Sequence, residues 1–400
     1  MFGTRSRCAF ERLLTRNHVE RALIDEVGQH NFIPLALGTV ELLGGTPAQL
    51  ESVYSDGKGQ FPAWSLSPGR ILSVDDMLQH LGDAKYQRAY IDFFSLQYGR
   101  SQMFRSQWLQ EQLLLPHDKP LLYGLFGELG GPLLHLSHAV ELKSSILLVE
   151  SLVLASLDGD AAISEVLSDP ALEDTPTSLL APEAIMSRLA HDGRFSGVIK
   201  SAPGYEQVAL VLSNPVARSA VIEYVRLLGL GDTPELLGQL ADLSTALVCG
   251  SHKRGKPAFD LYLSSLPSLV QALRVLLPLF DGDQASRTTL VRGVWLLMLL
   301  SYITQMRPVL DKSLVFATPV NIADLSWGRL WSEFWGQAGG LKDKYLDPTF
   351  VRSLRSLQEL GQASPDQEAY FLLAAWKLRK QWQQWAGCGK PGELFLNVRL

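Results

Sequence analysis

The chain has 400 residues, with 36 Lys and Arg against 41 Asp and Glu, a net charge of −5 at pH 7. Hydrophobic residues make up 46% and charged residues 19%, which excludes a disordered chain, and there is no basic excess to neutralise nucleic-acid phosphates. Leu outnumbers Ile by 73 to 11; unbranched Leu loses less rotamer freedom in a helix than β-branched Ile, so the bias points to a helical protein. Three widely spaced cysteines, Cys8, Cys249 and Cys388, exclude a disulfide framework and a thiolate zinc site, and suit a reducing, cytoplasmic compartment.

In chain order, the start MFGTRSRCAFERLL lacks the apolar stretch of a secretory signal. Apolar residues at helical spacing predict helices over Val19–Val27 and Ile33–Leu43, the second stopping at Gly44-Gly45. Thr46-Pro47-Ala48-Gln49 reads as an N-cap with Pro in the first turn of the next helix. Residues 55–70 read as a loop, and Tyr86, Tyr90, Phe93, Phe94 and Tyr98 as one buried face within Asp83–Leu115. Beyond a Pro116-His117-Asp118 turn, the apolar region 121–157 is broken at Gly130-Gly131-Pro132, where one helix ends and another starts. Residues 158–182 read as an acidic connecting loop. Helices are predicted over 208–228, 233–248, 259–279, 288–304 and 368–385. Trp327, Trp331 and Trp335 recur every four residues, one helix face, and read as core rather than a ligand platform. No apolar run is long and uninterrupted enough for a membrane span. The expected fold is all-α, a single compact multi-helix domain over 1–400, with two helical lobes around a central apolar cavity as the alternative.

Familiar cofactor signatures are absent. GCGKPG at 387–392 has the spacing of a dinucleotide loop but follows a helix and contains Pro391. GSHKRGKP at 250–257 nearly matches a P-loop, but Pro257 replaces the metal-binding hydroxyl. The most notable polar group is His135, His138 and Glu141 on one helix, where imidazole could serve as base or ligand. Packing within the core explains both histidines equally well. Asp260 could cap the helix it begins, and His30-Asn31 could cap or pack.

Several segments together resemble the questin oxidase-like family, whose members act in aromatic polyketide pathways. They are Leu42-Leu43-Gly44-Gly45-Thr46-Pro47 with Tyr54, Tyr90-Ile91-Asp92-Phe93-Phe94 with Tyr98-Gly99, Gly131-Pro132 to Glu141 with Glu150, and Lys256-Pro257 with Phe259 to Leu263. Tyr302 to Pro308 and Phe371 to Trp382 extend the likeness. The resemblance implies a helical fold and oxidation of an anthraquinone-like ring, by oxygen insertion of Baeyer–Villiger type or by ring opening. It also implies iron held by histidines in some members, and it admits NADPH. Here, however, family histidine positions are occupied by Phe32, Leu35, Gly131 and Ser265, and on a looser match by Phe350. Apolar side chains cannot ligate iron, so the expectation is a metal-free oxygenase of secondary metabolism with no cofactor. It would act on a phenolic aromatic substrate with O2, without nucleic-acid or membrane partners. His135 is expected as general base and Asp260 as a second acid/base or orienting group. His30, Tyr98, His138 and Tyr262 are expected to bind substrate oxygens. The alternative is a member that is non-catalytic, or non-redox such as an isomerase, a cyclase or a small-molecule binder. The sequence leaves the oligomeric state open.

Overall fold

A computed structural model describes residues 2–101, 105–115, 120–174, 176, 178–231, 233–317, 325–336 and 347–386. The chain is 71% helical, and among the described residues there are no strands, only isolated bridges. The all-α expectation therefore holds. Contacts group the chain into two compact units: Met1–Ser164, Val275–Leu290 and Gly339–Pro348, and Glu165–Arg274, Val291–Ala338 and Thr349–Leu400. The 387–392 loop with Cys388, and the 116–118 turn, lie outside the described residues.

The first unit is built on α1 (Phe2–Glu20), α2 (Ile33–Leu42), α3 (Pro47–Gly57), α4 (Val74–Gln79), α5 (Gln87–Arg100), α6 (Arg105–Leu113), α7 (Gly131–Glu141) and α8 (Ser145–Leu157). Helix α1 packs on α2 and α3, α2 on α7, and α7 and α5 on α8. The Thr46 signal is realised in full: its hydroxyl accepts from Gln49 N, and the Gln49 side chain returns to Thr46 N, a reciprocal capping box. Helix α8 is buried over nearly its whole length, which explains its uninterrupted apolar run.

Three sequence expectations for this unit are corrected. Residues 21–32 are not a helix. Asp25 Oδ1 accepts from Val27 N and Gln29 N, and Gly28 turns the chain at φ 88°, so the segment folds back and Ile24 bridges His30. This local Asx turn outcompetes the helix, and Val27 is left exposed. Helix α3 runs on to Gly57, three residues into the expected loop. The 121–126 stretch forms a 3₁₀ turn over α8 rather than an α-helix. A Cβ on Gly124 would lie 2.0 Å from the Ala155 carbonyl oxygen, and one on Gly127 2.0 Å from that of Asp158. These two glycines let the backbone press directly on the end of α8.

The second unit holds the end of α9 (Ala161–Leu167), then α10 (Pro182–Ala190), α11 (Val208–Ser213), α12 (Pro215–Arg226), α13 (Thr233–Gly250), α14 (Leu261–Leu276), α15 (Gln284–Thr304), α16 (Ser313–Phe316), α17 (Trp327–Trp335), α18 (Pro348–Ala363) and α19 (Glu368–Gln381), although α9, α14, α15 and α18 begin or end in the first unit. Helix α13 packs on α10, α16 and α19. The expected 208–228 helix is two helices bent by 104° at Asn214-Pro215, where the Asn214 side chain caps the second and Pro215 cannot continue the first. The 158–182 segment is not only a loop: it contains α9 and a 3₁₀ turn, Pro170–Glu173. On α17 the buried residues are Leu330 and Phe334, while the three tryptophans are half-buried; the Trp327 and Trp331 indoles donate to Glu368 and Gln358. The segment Leu261–Phe280 is long and apolar enough to cross a bilayer, and 78% of its most apolar window is buried in the protein.

Candidate functional site

Four titratable residues of the first unit, His30, Glu128, His135 and Asp158, lie near the N-terminus of α7. The chain enters this helix through Glu128, Leu129 and Gly130, at φ 42°, 54° and 75°. Two consecutive non-glycine residues in the left-handed region cost about 1–2 kcal/mol each, so the surrounding packing must hold them there. Gly130 N and Gly131 N both return to the Gly127 carbonyl, at 2.8 and 3.2 Å. Gly127 in turn lies against Asp158, the C-cap residue of α8.

His30 meets this corner from the folded-back segment. Its Nε2 is 2.5 Å from Asp158 Oδ2, with the two side chains 10% and 19% exposed. Asn31, fully buried, fixes the approach: its Nδ2 donates to the Ala22 carbonyl and its Oδ1 accepts from Ile33 N at the start of α2. The other ring nitrogen of His30, Nδ1, faces Gly131, where a Cβ would stand 2.8 Å away. Glu128 shares the corner. The residue is exposed, yet desolvation by surrounding protein raises its carboxyl above the ordinary glutamate range; His30 opposes that rise and Asp158 adds to it.

His135 lies one helical turn beyond Gly131. Its Nδ1–H donates to the Gly131 carbonyl at 3.2 Å and the residue is 1% exposed. Gly131 thus has His30 against its Cα and His135 on its carbonyl oxygen. His138 is held at both nitrogens: Nδ1–H donates to the Leu134 carbonyl and Nε2 lies 3.2 Å from Thr39 Oγ1. Its ring packs so closely on Gly38 that a Cβ there would stand 2.9 Å from Cδ2. Tyr98 makes its ring contacts elsewhere, edge-on to Trp108 and under Arg105.

Asp260 and Tyr262 belong to the second unit. Asp260 Oδ1 accepts from Tyr262 N and Leu263 N, both at 2.9 Å, which makes it the cap of α14. The Tyr262 ring lies near-parallel to Tyr205 at 6.3 Å. Of the six residues expected at the site, the structure therefore joins His30 and His135 through Gly131.

Sequence reading missed Asp158, Glu128 and the buried pair His18 Nδ1–Glu150 Oε1 at 2.8 Å, which ties α1 to α8. Glu150 stood out only within a family segment, and Asp158 and Glu128 carry no local motif. Their one sequence signal is the Gly-rich stretch 124–131, which marks close backbone approach.

The iron that the resemblance implies finds no seat here. Among the described residues no three His, Cys, Asp or Glu side chains gather to hold a metal ion. A histidine at 131 would place its Cβ inside the contact distance of His30.

Over 211 residues the chain is 26% identical to the "Baeyer-Villiger oxidase AgnL3" of Paecilomyces divaricatus, a match covering 50% of this chain and 45% of that protein. The chain thus spans less than half the length of that relative. The family model described as questin oxidase-like matches residues 29–357, from the segment that carries His30 into α18. The chain belongs to the questin oxidase-like family.

Proposed function

We propose that this protein is an oxidase of secondary metabolism that oxidises a polycyclic phenol with O2, without a metal, using His30 oriented by Asp158 as general base. The observation that carries the reading is the 2.5 Å contact of His30 Nε2 with Asp158 Oδ2. A carboxylate beside Nε2 favours the proton on that nitrogen, which would leave Nδ1 as the proton acceptor. His30 is preferred over His135 as base because it keeps some exposure, whereas His135 is 1% exposed and bonded to the Gly131 carbonyl. His135, bonded to the Gly131 carbonyl on α7, then serves as a supporting group. The family and the Baeyer–Villiger relative support an oxidative reaction.

An electron-rich phenol, once deprotonated, can transfer an electron to O2 directly. Recombination at a ring carbon forms the C–O bond, and the protein supplies the base, orientation and exclusion of water. If both oxygen atoms enter the product, ring opening balances with no added reductant. If one atom is inserted and the other leaves as water, two further electrons must come from a hydroquinone-level substrate or a reduced nicotinamide. A panel of hydroxyanthraquinones incubated under air and under argon, with metal analysis of the same protein, tests the reading. Oxygen-dependent conversion by iron-free protein is expected. Activity that tracks stoichiometric iron contradicts it. Conversion of equal rate under argon would assign the same His–Asp pair to a non-redox proton transfer, as in an isomerase or cyclase.

A further inference from the structure

We propose that Gly131 is a positioning residue: the space left by its missing side chain holds His30 against Asp158. The role rests on reading that pair as the base. Gly131 has φ −50° and ψ −50°, ordinary right-handed helix. Its backbone therefore has no need of glycine, unlike its neighbour Gly130 at φ 75°. Glycine is also a poor residue within a helix. What excludes any other residue is His30, since a Cβ at 131 would stand 2.8 Å from Nδ1 and 3.2 Å from Cε1 of the ring.

The ring is confined on two sides. Directly across it, Nε2 is already 2.5 Å from Asp158 Oδ2. Behind it, the backbone is pinned by the Ile24–His30 bridge, by Asn31 N donating to the Leu23 carbonyl, and by the Asn31 side chain. Asp158 is pinned as well: its N donates to the Leu154 carbonyl at 2.8 Å, and its own carbonyl presses on Gly127. A methyl group at 131 would therefore push the ring away from its place beside the carboxylate, without altering either side chain.

The test is a cycle of four proteins: the unaltered chain, Gly131→Ala, His30→Ala and the double variant. Gly131→Ala is expected to lower Tm by a few degrees in the unaltered chain, and to leave it unchanged or raise it when His30 is Ala. Equal shifts in both backgrounds overturn the proposal. Should His30→Ala fold poorly, mapping of histidine modification by diethylpyrocarbonate decides on Gly131→Ala alone. His30 is expected to react several-fold faster in the variant, with exposed His191 unchanged as control. An unchanged rate at His30 overturns the proposal. The base reading fails separately, if His30→Ala keeps full turnover of hydroxyanthraquinones.

Discussion

His30 Nε2 lies 2.5 Å from Asp158 Oδ2, which joins the folded-back link between α1 and α2 to the C-cap of α8. Because the carboxylate orients the ring, the two residues should fail together. His30→Ala should lower turnover of a hydroxyanthraquinone by roughly 10²–10⁴-fold, the range for a general base. Asp158→Asn should lower it by at least about tenfold, through the wrong tautomer rather than lost contact. Steady-state rates on variants with unchanged Tm check this, and a fully active Asp158→Asn variant would separate the pair.

Gly127 and Gly124 hold the end of α8 by backbone contact. Gly124→Ala and Gly127→Ala each drive a Cβ to 2.0 Å from a carbonyl oxygen, which no rotamer change relieves. Each should cost about 1–3 kcal/mol, the usual price of overpacking. Chemical denaturation checks the loss. Gly127→Ala should also reduce turnover, since the carbonyl it strikes belongs to Asp158, whereas Gly124→Ala should act on stability alone.

Glu128 gives a pH-dependent signature. Its carboxyl is raised in the folded protein, mainly by desolvation, with His30 opposing and Asp158 reinforcing. An acid raised on folding favours the folded state fully below the ordinary glutamate range, and this contribution is lost as pH rises through the raised value. Glu128→Gln should therefore have a higher Tm than the unaltered chain at pH 7, with the two curves meeting near about pH 4. Thermal melts across that range check the sign, and a Gln variant less stable at pH 7 would refute it.

Cysteine reactivity should divide by burial. Cys8 is exposed, whereas Cys249 is fully buried and burial pushes its thiol up to about 12. The thiolate is the nucleophile, so native protein should alkylate at Cys8 and spare Cys249 until unfolded. Peptide mapping after a short iodoacetamide pulse reads this directly.

Asp260 tests a capping role against a chemical one. Loss of the cap in Asp260→Ala should cost about 1 kcal/mol, and Asp260→Ser, which also caps, should recover most of it. If Asp260 only caps, the Ser variant keeps near-normal turnover. A large rate loss in a stable Ser variant would instead place this carboxylate at the chemistry.

What the sequence disclosed was what nearby residues decide. The Leu bias, the Thr46 N-cap with Pro47 in the first turn and the Pro132 start of α7 are local and appear as read. Residues 21–32 misled because apolar spacing carries no record of the Asp25–Gly28 turn that overrides it. The bend at Asn214-Pro215 was missed because an apolar run continues on both sides. At the site, the histidines stood out by type and family position. Asp158 and Glu128 did not, because their roles arise from packing between remote segments at Gly127 and Gly131.

Oxygen chemistry by a metal-free His–Asp pair is measured most directly by ¹⁸O₂ labelling of iron-free protein with hydroxyanthraquinones. ¹⁸O is expected in the product from the unaltered chain, and little from Asp158→Asn or His30→Ala at equal protein and time. Product without ¹⁸O, or labelling that persists undiminished in both variants, would contradict it.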